Sequence, residues 1–288
     1  MTQQHTNKTP LEGAPVSGDQ AKKRPVPLNA REEMAEFFKT AVIAVILALL
    51  IRSFLYEPFN IPSGSMKPTL EIGDYLFVSK PAYGYSRYSF PFGIAPIEGR
   101  MWPGMPARGD IIVFKLPTNT GVDYIKRVIG LPGDRIQVLR GRLYINDEMV
   151  DREPVGLKTD DESGSKVTMT QYIETLPGGL VHSIYEESDA EILDNTPVYT
   201  VPEEHYFVMG DNRDNSQDSR VQGLVGFVPF ENIVGRADIL FFSTNGYAGL
   251  VEFWKWPWTI RYDRVFMRLT PGRLAAPPEP HDSGHATP

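Results

Sequence analysis

The chain has 288 residues, of which 41% are hydrophobic, with a formal net charge of −7 and no cysteine. It is long enough for one large or two modest cores, and too polar to cross a membrane many times. The acidic balance argues against nucleic acid as the main partner, and the missing thiols exclude a disulfide, a zinc–thiolate site and a cysteine nucleophile.

Residues 1–34 are polar and rich in Gln, Thr, Lys and Pro, and are expected to be a disordered tail. Residues 35–56 follow as one unit, with the apolar run Ala41–Ile51 lying between Lys39 and Arg52. Phe37, Phe38, Phe54 and Tyr56 stand at its edges. Basic side chains near both ends and aromatics at the borders are the marks of one transmembrane helix. A buried soluble helix would show a polar face between 41 and 51, and a cleaved signal peptide would be followed by a small-x-small site. The sequence has neither. Lys22, Lys23, Arg24 and Arg31 precede the span and only Arg52 follows closely. The positive-inside rule then puts the N-terminus in the cytoplasm and the chain from about Glu57 onward on the outer face of the cytoplasmic membrane.

The remainder reads as mainly β. YLFVS (75–79), DIIVFKL (110–116), VDYIKRVI (122–129), RIQVL (135–139), RLYIN (142–146), HYFVMG (205–210) and IVGRADILFF (233–242) are short β-branched and aromatic runs bounded by Gly, Pro and Asp. A hairpin is expected to turn at Arg140–Gly141. Residues 57–150 and 201–245 are assigned to a β core, and the polar 151–200 to an insertion, partly irregular, with a hairpin near 168–185. In residues 246–273, three tryptophans lie among basic residues, with Arg261, Arg264 and Arg268 at helical spacing. The stretch FWKWPWTIRYDRVFMRL (253–269) is expected to form a helix, either lying on an anionic membrane surface or packed on the domain. Residues 274–288 are Pro-rich and expected to be disordered.

Three stretches carry chemistry. In PSGSMKPTL (62–70), an extended backbone sends Ser63 and Ser65 to the same side, with Gly64 leaving room for a third group. A surface turn is the competing reading, and a serine is inert without a base. Three of the five histidines, His5, His281 and His285, lie in the termini, and His182 and His205 are expected on the surface. In VDYIKRVIG, alternation puts Lys126 with Val122, Tyr124 and Val128, and Arg127 with Ile125 and Ile129. If the strand is buried, one cation sits among apolar neighbours. A buried lysine loses its proton readily and becomes a base, whereas arginine does not. A surface strand with two solvated cations is the alternative. Third, GDNRDNSQDSR (210–220) has no apolar side chain and does not fit a calcium loop. An Asp–Arg–Ser network there would orient a neighbouring base through Ser216.

Together PSGSMKPTL, RGDIIVF (108–114), YIKRVIGLPGD (124–134) and GDNRDNSQDSR resemble, in order and spacing, the signature boxes of bacterial type I signal peptidases, or leader peptidases. The resemblance implies a mainly antiparallel β catalytic domain with a smaller inserted β region. It implies Ser65 as nucleophile, Lys126 as general base, and an oxyanion hole made by the Ser63 hydroxyl and the Ser65 N–H. It further implies that Ser216 orients the lysine, that Asp218 and Arg220 form a supporting ion pair, and that Tyr124 lies beside the lysine. One span precedes the serine here where some members have two.

The expected activity is cleavage of signal peptides from exported preproteins after A-x-A sites by a Ser–Lys dyad, without metal or other cofactor. Phe59, Ile61 and Met66 flank the nucleophile and are expected to line shallow pockets for small side chains. The expected partners are preproteins and the lipid bilayer. A non-catalytic, membrane-anchored β-domain that binds or assembles exported proteins is the alternative. A self-cleaving regulator is disfavoured by the anchor.

Overall fold

The computed structural model describes residues 30–90, 96–160, 166–246, 248–270 and 272–273. The expected tails therefore lie outside the described residues, apart from 30–34. Those five residues begin helix α1, Ala30–Phe54, which starts before the expected position 35. Glu32 and Glu33 in the first turn and Arg52 in the last suit the helix dipole and explain the longer element. The helix is long and apolar enough to cross a membrane, with a mean hydropathy of 2.2 over its most apolar window, and none of that window is buried.

Two compact units divide at Ile46 and Leu47. In the second unit the last helical carbonyls find partners. Lys80 Nζ donates to Arg52 O at 2.9 Å and Tyr85 Oη to Phe54 O at 2.7 Å. Lys80 is 1% exposed and pairs with Glu57 at 2.9 Å. The orphan acceptors of a helix end are thus satisfied by side chains of the β domain.

The strands in the first half are β1 Tyr56–Asn60, β2 Asp74–Ser79, β3 Ile111–Leu116, β4 Asn119–Gly130, β5 Arg135–Leu139, β6 Arg142–Ile145 and β7 Glu148–Met149. Then come β8 Asp151–Asp160, β9 Val167–Leu176, β10 Leu180–Glu186, β11 Tyr199–Thr200, β12 His205–Met209, β13 Val228–Pro229, β14 Ile233–Ser243 and β15 Gly272–Arg273. They form three antiparallel sheets, ordered β1-β2-β14-β3-β4-β12-β13, β15-β10-β9-β8 and β11-β5-β6-β7. The fold is mainly β, as expected. The Arg140–Gly141 hairpin turns with φ of 50° and 69°, the left-handed pair its twist requires.

Two elements depart from expectation. The insertion holds the expected hairpin, β9–β10, and irregular 187–198, but adds β8 to make a meander over most of 151–186. Strand β8 was not predicted because it lies at a sheet edge, is mostly exposed and contains Pro154. The helix expected over 253–269 is absent. A single α turn, Trp256–Thr259, lies between short 3₁₀ segments, with Pro257 inside it. Arg264 pairs with Asp74 at 2.5 Å, and Leu269 packs into a core cluster with Val113 and Leu240. Ion pairing and apolar anchors hold this segment, so the helical spacing of its arginines counts for little.

Candidate active site

Ser65 lies in the loop between β1 and β2. Ile61 N donates to Asp74 O at 2.8 Å and Gly73 N to Ile61 O at 3.0 Å, closing the loop at its base. Within it, Lys67 N donates to Gly64 O at 3.1 Å and Leu70 N to Met66 O at 2.9 Å. Met66 and Leu70 are fully buried and plug the loop into the core. Ser63 stays exposed and Ser65 half-buried, with their Oγ atoms 3.4 Å apart.

Strand β4 brings the lysine. Its two faces belong to different clusters: Tyr124 and Val128 pack with Ile112 and Phe114, and Ile125 packs against the cluster of Met66 and Leu70. Lys126 and Arg127 are only 3% and 2% exposed, so both cations are buried. They are treated differently. Arg127 holds Asp211 through Nε at 2.8 Å and Nη2 at 2.6 Å, and donates to Gly109 O at 2.8 Å. Lys126 forms no ion pair among the described residues. Its Nζ lies 2.7 Å from Ser65 Oγ, 3.0 Å from Ile125 O and 5.4 Å from the centre of the Tyr124 ring. Burial pushes Lys126 down to about 8, with Arg220 adding to the effect and the charges of Asp218 and Asp211 opposing it.

The 210–220 loop buttresses both. Asn212 N donates to Ser65 O at 3.1 Å, and its Nδ2 to Gly64 O at 3.2 Å. Asp218 accepts from Gly210 N at 3.0 Å and from Arg220 Nε and Nη2 at 2.9 Å each. Burial opposes the charge on Asp218, but Arg220 and the Gly210 N–H hold its carboxyl below the ordinary value.

Ser63, Ser65, Tyr124 and Lys126 thus come together, with Asp218 and Arg220 behind them. Ser216 departs from expectation. Its buried Oγ does not bond Lys126 and lies near the Asp218 carboxyl, whose charge it helps to hold. The hydroxyl lies instead against Gly210, where an added Cβ would stand 2.3 Å from Ser216 Oγ and 2.4 Å from Ser65 O. Gly210→Ala is expected to destabilise the fold by about 1–3 kcal/mol and to cut activity by displacing Ser65, read as a lower Tm and a lower kcat.

The flanking apolar residues also differ from expectation. Ile61 is 3% exposed and Met66 fully buried, both inside the core, and only Phe59 is left partly accessible. An apolar residue at the base of a loop fills the core before it lines a surface. His182, expected outside, faces inward on β10 with Ile184. Its Nε2 is 3.4 Å from Glu174, and burial, then the positive charge of Arg127, push its imidazole down to about 4. Sequence reading missed Asn212, and the pairing of Asp211 with Arg127. An eleven-residue polar run directly after a buried strand was the available signal for both.

The family described as signal peptidase, peptidase S26, matches residues 34–242. Signal peptidase I of Rickettsia conorii is 41% identical over 259 residues, covering 84% of this chain and 94% of that protein. Signal peptidase I of Rickettsia prowazekii is 39% identical over 260 residues, covering 84% and 96%. A crystallographic signal peptidase I from Enterococcus faecalis V583 is 31% identical, covers 46% of this chain and 96% of that one, and superposes with a TM-score of 0.27. The family match spans most of the strands and every residue of the Ser65–Lys126 neighbourhood, and the chain belongs to the signal peptidase family of serine peptidases.

Proposed function

We propose that the protein is a membrane-anchored endopeptidase that removes signal peptides from exported preproteins after small-x-small sites, with Ser65 as nucleophile and Lys126 as base. The observation that carries this reading is a buried lysine, paired with no carboxylate among the described residues, 2.7 Å from a serine hydroxyl. Neutral Lys126 takes the Ser65 proton as Oγ attacks the carbonyl before the scissile bond. The oxyanion is held by the Ser65 N–H and the Ser63 hydroxyl. The lysine then gives its proton to the departing amine, later takes one from the water that opens the acyl-enzyme, and passes it to Ser65 Oγ as that oxygen leaves. Every proton is returned, and Ser65 and Lys126 are regenerated.

Helix α1 serves as the anchor, with its N-terminus in the cytoplasm and the β domain on the outer face of the inner membrane. Ser65 lies nine positions after Tyr56, at most about 30 Å of extended chain. The nucleophile therefore works near the bilayer surface, where the cleavage site of a membrane-held signal peptide emerges.

The test is a pH profile with a preprotein bearing an A-x-A site, its product identified by mass. Lys126 acts only when neutral. With its pKa near 8, kcat/KM is expected to plateau above that pH and to fall about tenfold per unit well below it. A profile flat between pH 6 and 9 would remove Lys126 from the role of base, and cleavage elsewhere than after A-x-A would remove the specificity.

A further inference from the structure

A cavity of about 180 Å³ opens beside the nucleophile loop, bounded by Gly64, Met169, Glu187, Asn212, Asn215 and the Lys67–Asp160 ion pair at 2.7 Å. It shares no residue with the Phe59–Ser63 segment before Ser65. This inference rests on the reading above and takes the residues preceding the scissile bond to lie along that segment. An extended substrate that crossed Ser65 from there would leave on the side of Gly64 and Asn212, which line this cavity.

Its chemistry is specific. Asn212 is 1% exposed, and its Oδ1 is buried without a donor among the described residues, although its N and Nδ2 are both used on the nucleophile loop. A ligand N–H that reached it would satisfy an acceptor otherwise left open. Two carboxylates, Asp160 and Glu187, line the same cavity. Among the lining residues the one cation is Lys67, which meets Asp160 and, at 4.0 Å, Glu71. Glu187 is exposed and forms no ion pair among the described residues. Burial, then the charges of Asp214 and Glu191, push its carboxyl up, so an arriving cation would relieve it. Apolar Ile72, Val167 and Met169 complete the wall and would pack against an aliphatic stem.

We propose that this cavity receives the first residues of the mature protein after the scissile bond, and that Glu187 and Asn212 select basic or amide side chains there over carboxylates. Attraction of a cation and repulsion of an anion at a partly solvated carboxylate act in opposite directions on the two substrates, so their ratio reports both.

The experiment uses the full-length enzyme in lipid and preproteins identical up to the cleavage site, with Lys, Gln or Glu at the second and third mature positions. The Lys substrate is expected to exceed the Glu substrate in kcat/KM by about tenfold at low ionic strength, with the gap narrowing in high salt. Glu187→Lys should reverse the order and Glu187→Asp should keep it. The ratio is taken within one enzyme, so any loss of folded protein cancels. Equal cleavage of all three substrates, or a preference untouched by Glu187→Lys, overturns the proposal and leaves the Ser65–Lys126 reading standing. Cleavage that survives in Ser65→Ala overturns that reading and this inference with it.

Discussion

Ser65→Ala and Lys126→Met are each expected to lower kcat/KM for a preprotein by about 10⁴–10⁶-fold. Ser65→Ala removes the atom that forms the bond. Lys126→Met keeps an unbranched side chain of similar volume in a slot 3% exposed to solvent, beside Tyr124 and among apolar neighbours. It removes an amine that forms no ion pair among the described residues, so no buried carboxylate loses a partner. The variant should stay folded, which separates lost chemistry from lost structure. Lys126→Arg should be as inactive as Lys126→Met, because a guanidinium stays charged and cannot accept the serine proton. The double variant should be no worse than either single one, since the two residues act as one unit. Single-turnover rates with circular dichroism on each variant make the check. An active Lys126→Arg would show that charge, and not proton transfer, is what the position supplies.

The next largest effect is expected at Ser63. Its Oγ is 3.4 Å from Ser65 Oγ, too far for a strong O–H···O bond, so the hydroxyl is not committed to the nucleophile. It is exposed, and its loss leaves no buried group unsatisfied. Stability should therefore change by less than about 0.5 kcal/mol in Ser63→Ala. If the hydroxyl donates to the oxyanion, kcat should fall by about 10²–10³-fold with KM nearly unchanged. Ser63→Thr retains a donor and should recover most of the rate. A rise in KM with kcat intact would make Ser63 a ground-state contact instead.

Much of the architecture was legible because the strands of this chain are short, apolar and cleanly punctuated. Strands β2 to β6, β12 and β14 fall where alternation and turn residues put them. Strand β8 and the 253–269 segment were not legible for opposite reasons. The first is a polar edge strand whose order comes from pairing with β9. The second has a helical spacing of arginines that ion pairs with Asp74 and contacts with the core outweigh.

The sequence by itself determined that the chain has one long apolar segment before a β-rich region, and that Ser65 and Lys126 stand in a turn and a strand suited to a nucleophile and its base. These are local properties of period and residue type. Which of two adjacent cations in VDYIKRVIG titrates was left open by periodicity. That needed Asp211, 84 residues further on, to neutralise Arg127 and leave Lys126 buried without a carboxylate partner among the described residues. Only the tertiary structure also decided that Met66 is a core anchor, that Ser216 makes no bond to the lysine, and that Asn212 ties the 210–220 loop to the nucleophile. The reason is the same in each case. Burial and ion pairing set protonation and position, and both depend on residues far apart in the chain that only the folded sheet brings together.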